Sequence, residues 1–489
     1  MRPKRIVARG IFSYAEGGTM LDINLIREQP DFVKARLATR HDDTLAARVD
    51  AILNLDQRRR ALLVQSETLQ AERNKINKAL GRMKGNRTLS LAAQAHALQE
   101  AVRAIQAEKY AHAADLLTNP PSDPPDPEAQ PDLTALTDAL RGIGDKVEAI
   151  TKAAEAAEAD MREHMLWLPN LLHESVPLGA SSEDNPIAAP VGTPRTYSFT
   201  PKPHWELGPA LDVIDFERGT KLSGTRFYVL KGIGARLQRA LINLCLDQHT
   251  ANGYTELYLP FIVKEEMLYG AGQFPKFRND MYNDPDAALF LLPTAEVAIT
   301  NLHRDEILSA DELPLRYVAN TPCWRREATS AGRDVRGIKR VHQFQKVELY
   351  KFTTPERSYE EHEAMRADVE KLCALLDIPY RLVTLCTGDV GFGMAKTYDI
   401  EMHAPGCDEW LEVSSISNAE AFQARRAMIR YRPEAGSKVE YVHTLNGSGL
   451  AMPRVIIAIL ENFQQADGSV LVPPVLRPYM GGLEVITPR

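Results

Sequence analysis

Leu55, Leu62, Leu69 and Ile76 recur every seven positions within a stretch, Leu45 to Leu80, that holds neither proline nor glycine. A 3.6-residue turn returns every seventh side chain to nearly the same face, so this spacing predicts one long helix with a seam turned to a partner. The companion column, Arg59, Ser66 and Arg73, is polar where a full seam would be apolar. Only one side of this helix is therefore expected to be well buried. Leu133, Leu136, Leu140, Ile143, Val147, Ile150, Ala154, Ala157 and Met161 follow a 3-4 alternation through four heptads and predict its antiparallel mate. The first segment, 36 residues, would rise about 54 Å and the second, 29 residues, about 43 Å, long enough to pair along most of their length.

Gly81 and Gly85 predict a chain reversal at the tip of the first helix. A further helical pattern runs through Leu91, Ala95, Leu98, Val102 and Ile105, and residues 119–131 then hold six prolines, which no helix crosses. Residues 88–131 thus read as an insertion in a helical hairpin. Between Asp56 and Arg87 there are nine Lys/Arg and three acidic residues, although the whole chain of 489 residues carries a formal charge of -7. Net charge excludes a uniformly basic nucleic-acid coat, but this one rod is suited to phosphate contact through Arg58, Arg59, Arg73, Lys75 and Lys78.

Hydrophobic residues at 44% and charged residues at 25% exclude a disordered or fibrous chain. The five cysteines form no CxxC pair, so no zinc is expected. The aliphatic run Val455 to Leu460 is too short for a bilayer, and no membrane partner is expected. Residues 1–19 carry Arg2, Lys4, Arg5 and Arg9 before the first acid, Glu16. They read as an upstream extension of a cytoplasmic protein, with a mitochondrial transit peptide as the alternative.

After Leu168-Pro169 the texture changes to short apolar runs, such as Phe227 to Leu230 and Leu289 to Leu292, mixed with helical patterns over 236–250 and 355–376. Without regular βαβ alternation this predicts an α+β domain on an antiparallel sheet, with residues 186–209 as a connector. The expected divisions are 1–19, 20–168 and 169–489. The densest polar cluster, Thr321 to Glu327 and then Ser330 to Leu349, reads as strand, Arg-rich loop, strand. Guanidinium forks grip phosphate and an aromatic ring stacks on a flat base, so this hairpin suits a nucleotide.

That hairpin resembles the second signature of the class II aminoacyl-tRNA synthetases, in the form found in the seryl-tRNA synthetase family. Further blocks agree in order: Lys221 to Phe227 leading to Pro260, Pro293-Thr294-Ala295-Glu296, Glu412 to Asn418 with Phe422 to Arg426, and Leu445 to Arg454. The sequence departs from the family pattern at Trp324, Arg326, Ile416 and Pro453. The resemblance implies a class II catalytic domain preceded by a tRNA-binding coiled-coil arm. It implies activation of L-serine by ATP and transfer to tRNA(Ser), in a homodimer, and leaves open whether tRNA(Sec) is a second acceptor.

By the same resemblance Arg325, Glu412 and Arg454 are the catalytic set. ATP is expected on Arg325, Arg326, Glu327, Val341, Phe344, Glu412, Val413, Ser414, Ser415 and Arg454. Mg²⁺ is expected on Glu412 and Ser415, because that ion favours one or two protein oxygens plus substrate phosphates. Serine is expected among Thr294, Ala295, Glu296, Arg325, Glu348, Asn446 and Ser448. Two rival readings are an amino-acid:carrier-protein ligase, which the rod argues against, and a catalytically silent RNA-binding relative, which would have lost Arg325, Glu412 or Arg454.

Overall fold

The computed structural model describes residues 21–121, 124–328 and 336–488. The N-terminal extension, Ser122 and Asp123 of the proline stretch and residues 329–335 of the hairpin loop lie outside the described residues. The chain divides into two compact units, Ala47–Met165 and the remainder, in which the residues up to Ala46 group with those from Leu166 onward.

In the larger unit, helices α1 (Ile23–Glu28) and α2 (Pro30–Ala38) come first. Arg40, just beyond them, donates to the carbonyls of Asn170 at 2.8 Å, Val390 at 3.0 Å and Met394 at 2.7 Å, tying this segment to the C-terminal part of the chain.

The smaller unit is built on α3 (Thr44–Gly85) and α6 (Thr134–Leu166), of 42 and 33 residues. Their polar column is matched across the seam. Arg59 pairs with Glu158 at 3.3 Å, Ser66 Oγ lies 3.1 Å from Thr151 Oγ1, and Arg73 packs its guanidinium against Gly144. Each contact moves seven residues up one helix and seven down the other, the register of an antiparallel coiled coil. This second side is only half-buried, with Glu158 exposed, but its polar residues are matched by partners on α6 rather than left facing apolar ones. Gly144 gives the Arg73 guanidinium room: a Cβ would lie 3.3 Å from its central carbon, a close contact that the flexible arginine could relieve only by shifting.

Gly81 does not stop α3, which continues to Gly85. Nothing lies within 4 Å of a Cβ at Gly81, so the residue sits on an open face, where glycine costs about 1 kcal/mol relative to alanine. The inserted segment forms α4 (Leu91–Gln106), started by Ser90 Oγ accepting from Ala93 N at 3.2 Å, and a shorter α5 (Tyr110–Thr118) absent from the sequence reading. Ala97, Leu98, Ala101, Ala113 and Leu117 bury against Ile76, Ala79 and Met83 of α3 and Leu136, Leu140 and Ile143 of α6. The insertion thus packs on the C-terminal turns of α3 and the N-terminal turns of α6, as a four-helix cap.

The larger unit is organised on a seven-stranded sheet. Its strands are β1 (Thr255–Glu256), β2 (Leu315–Trp324), β3 (Gln343–Thr353), β4 (Tyr380–Thr384), β5 (Lys396–Ala404), β6 (Glu409–Glu420) and β7 (His443–Ala451), in the spatial order β4-β5-β6-β7-β3-β2-β1. All pairs are antiparallel except the edge pair β1-β2. Residues 186–209 do more than connect. Ile187 and Val191 bridge to Val383 and Tyr380 at the β4 edge, and His204–Ala210 forms α7.

Successive strand residues point to opposite faces, and this sheet uses both. One face buries Val347 and Leu349 of β3, Ile416 of β6 and Leu445 of β7 against α8 (Ile233–Ala251), α9 (Ser358–Leu375) and α10 (Met452–Asn462). On the other face the middle of the same strands is polar, with Lys346 and Glu348, Ser415 and Ser417, and Asn446. They build the site.

Candidate active site

A cavity of about 480 Å³ lies over this polar face, within the size range of small-molecule sites. Its wall takes Phe344, Lys346 and Glu348 from β3, Asn446 and Ser448 from β7, Ser415 and Ser417 from β6, and Thr397 and Asp399 from β5. Every second residue is used, and the sheet register sets them side by side: Glu348 opposite Ser448, Ser417 opposite Asn446 and Thr397, and Asp399 opposite Ser415. Arg325 and Glu327 enter from the loop after β2, Val341 from the segment before β3, and Arg454 from the first turn of α10.

Pro453 does not disturb Arg454. It occupies the opening turn of α10, where a missing N–H is no loss and a fixed φ suits the helix. Arg454 then donates to the Glu412 carbonyl at 2.7 Å and to the Lys339 carbonyl at 3.2 Å, with the Glu412 carboxylate at 3.4 Å. Arg325 donates from Nε to the Pro293 carbonyl at 3.3 Å and lies 5.3 Å from the Phe344 ring centroid. Glu327 accepts from Arg340 at 2.7 Å.

A second group of side chains is fully packed. Glu296, Glu348, Asn446 and Ser448 are buried, and Lys346 pairs with Glu348. Glu348 also accepts from Thr294 Oγ1 at 3.2 Å. Gln423 Nε2 donates to Glu296 Oε1 at 2.6 Å, with Asn446 Nδ2 at 3.5 Å. Burial, reinforced by the neighbouring Glu348 charge, pushes the Glu296 carboxyl up to about 7. A pocket with two carboxylates beside amide and hydroxyl groups can hold a small ammonium-bearing ligand with a hydroxyl.

Twelve of the expected ligand-site residues reach the cavity wall: Glu296, Arg325, Glu327, Val341, Phe344, Glu348, Glu412, Val413, Ser415, Asn446, Ser448 and Arg454. Four do not. Ala295 is in the hydrophobic core, Thr294 bonds Glu348 and the Glu296 amide, Ser414 faces away and donates to the Ser448 carbonyl at 2.6 Å, and Arg326 is an exposed side chain whose amide bonds the Asp280 carbonyl. On α3, Arg58, Lys75 and Lys78 are exposed, whereas Arg59 and Arg73 are committed to the seam with α6.

The sequence reading missed Lys346, Thr397, Asp399 and Ser417. Strand alternation counted back from Glu348 would have found Lys346. Thr397 and Asp399 carried no motif signal and join the site only by pairing with Ser417 and Ser415. Asp399 bears on a metal. Its Oδ1 is buried without a hydrogen-bond partner beside Glu412 and Ser415, and burial together with the Glu412 charge raises its carboxyl well above the usual range. An orphaned carboxylate oxygen next to two further oxygen donors fits a hard divalent cation.

The chain is similar to known proteins. Residues 277–463 match the family model for the tRNA synthetase class II core domain (G, H, P, S and T), and residues 20–118 match that for the seryl-tRNA synthetase N-terminal domain. Serine–tRNA ligase of Roseiflexus sp. (strain RS-1) is 55% identical over 96% of this chain and 99% of its own. The protein of the same name from Chloroflexus aurantiacus is 51% identical over 96% of this chain and all of its own. Among solved structures, seryl-tRNA synthetase from Pyrococcus horikoshii complexed with ATP superposes with a TM-score of 0.82 at 35% identity, covering 96% of this chain and 100% of its own. Cytoplasmic serine–tRNA ligase from Naegleria fowleri in complex with AMP gives 0.76 at 28%, covering 96% and 99%.

Proposed function

The chain belongs to the seryl-tRNA synthetase family, and we propose that its cavity joins L-serine to ATP and then hands the seryl group to tRNA(Ser). The observation that carries the reading is the convergence, on one polar sheet face, of two arginines with a cation-ready oxygen cluster and a buried carboxylate pocket. The serine carboxylate attacks the α-phosphorus of ATP. The new P–O bond gives seryl-adenylate, and pyrophosphate leaves with its electron pair. No side chain need remove a proton, since the nucleophile is already an anion; the site acts by placement and charge.

Arg325 holds the α-phosphate and the serine carboxylate where charge gathers, and Arg454 holds the γ-phosphate. Glu327, the Val341 backbone and Phe344 seat the adenine. Glu412, Ser415 and Asp399 would hold Mg²⁺, which when bound neutralises phosphate charge. Glu296 and Glu348 receive the ammonium, while Asn446 and Ser448 pair the hydroxyl; alanine would leave these groups unpaired, the type of mismatch that polar pockets reject most strongly.

The exposed face of α3, with Arg58, Lys75 and Lys78, is the proposed tRNA contact. A homodimer is proposed as well, on the family resemblance. Among the described residues no helix is long and apolar enough to cross a membrane, and the cytoplasm is the proposed compartment. The test is ATP–pyrophosphate exchange over a panel of amino acids, followed by tRNA(Ser) charging. Serine alone should support exchange, and Arg325→Ala should lower it by about 100-fold or more. Exchange with another amino acid, or full exchange in the variant, would overturn the assignment.

A further inference from the structure

His204 opens α7, more than 120 residues before the nucleotide hairpin loop that it touches. Its ring is fully buried. Ile338 donates its backbone N–H to His204 Nε2 at 3.0 Å, so that nitrogen is unprotonated and the neutral ring carries its proton on Nδ1. Nδ1 in turn donates to Glu461 Oε1 at 2.8 Å. The Glu461 carboxylate also accepts from the His204 amide at 2.8 Å, the Gly406 and Cys407 amides at 2.9 and 3.0 Å, and the Cys407 thiol at 3.0 Å.

The donor atoms of His204, Cys407 and Glu461 lie within 4.8 Å of one another, close enough for a metal. The hydrogen bonds argue for a different use. The ring nitrogen that faces the carboxylate holds the proton, and the other is filled by an amide, so neither offers a lone pair to an ion.

The preceding residue, Gly337, shows how tight this contact is. It has φ +71°, and a Cβ there would lie 1.9 Å from His204 Nε2. Only glycine satisfies both conditions. The chain then runs directly into Lys339, Arg340 and Val341, all on the cavity wall. The same stretch is held a second time, because the Lys339 carbonyl accepts from Arg454 at 3.2 Å. Arg454 and Glu461 are on one helix, α10, seven residues or about 10 Å apart.

We propose that His204 is a positioning residue for ATP. Through Ile338 it locks the returning leg of the hairpin to the far end of the helix that presents Arg454, so that the Val341 backbone and the γ-phosphate arginine keep a fixed separation. The inference rests on the reading of this cavity as an ATP site.

Calorimetric titration of the full-length protein with ATP, and separately with serine, tests it, using His204→Leu, His204→Gln and Gly337→Ala. Leucine removes both ring hydrogen bonds, and the Kd for ATP should rise about 10-fold while that for serine changes less than about 2-fold. Glutamine, with one donor and one acceptor, should restore most of the ATP affinity. Gly337→Ala should reproduce the leucine signature from the loop side, and it tests the clamp should the leucine variant fail to fold. Unchanged ATP affinity in Gly337→Ala, or equal loss for both ligands in either variant, would overturn the clamp. A wild-type protein that binds no ATP would overturn the site reading and the clamp together, whereas normal wild-type binding with undisturbed variants removes the clamp alone.

Discussion

Gln423 and Glu296 are 127 residues apart in sequence, and Gln423 Nε2 donates to Glu296 Oε1 over 2.6 Å. The amide can face only one way. Its other Nε2 neighbour, the Ala271 carbonyl at 3.2 Å, can only accept and so fixes which end is Nε2, while Oε1 receives the hydroxyls of Tyr350 at 2.8 Å and Thr444 at 2.7 Å. All four bonds are buried, so the amide is locked and holds the Glu296 carboxylate in one pose. Gln423→Leu should therefore raise KM for serine by about 10- to 100-fold, the loss of one hydrogen bond to a charged group, with KM for ATP nearly unchanged. Steady-state pyrophosphate exchange measures both.

The Glu296 carboxyl, raised to about 7 by burial and by Glu348, sets a pH dependence. A raised carboxyl is protonated below its pKa, and a neutral acid attracts an ammonium group poorly. Serine kcat/KM should fall as pH drops from about 8 to about 6, while kcat at saturating serine, where the bound ammonium keeps the group ionised, falls much less. A flat kcat/KM profile would remove Glu296 from ammonium binding.

Asp399 faces Ser415 across the β5-β6 ladder with Oδ1 unpartnered. Asp399→Asn keeps the shape and removes the charge. The Mg²⁺ concentration for half-maximal exchange should rise about 10-fold, with a matching loss of Mn²⁺ affinity by paramagnetic titration without substrates. Equal metal affinity in the variant would leave Asp399 a wall residue only.

Deleting Asp56 to Asp160 behind a short bridge removes both sides of the α3-α6 seam at nearly facing positions. Serine-dependent exchange should be retained and tRNA(Ser) charging abolished. Reversing Lys75 and Lys78 to Glu should weaken charging and flatten its salt dependence, since phosphate contacts release counterions. Undiminished charging in the deletion would show that tRNA is held elsewhere.

The arm was legible in the sequence because heptad spacing is a local property: Leu55 to Ile76 and Leu133 to Met161 each mark a helix face without knowledge of the other. The match of Arg59 with Glu158 and of Arg73 with Gly144 was not, as either column read alone is a broken seam. Alternation did similar service on the sheet. It accounts for Lys346 from Glu348 but is silent on Asp399, whose place depends on β5 lying beside β6.

Local spacing and proline and glycine punctuation by themselves determined the coiled-coil arm and the mainly antiparallel sheet, while Arg325, Glu412 and Arg454 were nominated by the family resemblance of the ordered polar blocks. Tertiary structure decided which of the candidates face the cavity and which turn inward, as Ala295 and Ser414 do. It also decided the cap formed by the insertion, and the ties of Gln423 to Glu296 and of His204 to Ile338. These depend on strand register and on contacts between residues more than a hundred positions apart, and the periodicity of any single segment carries no information about its neighbour in space.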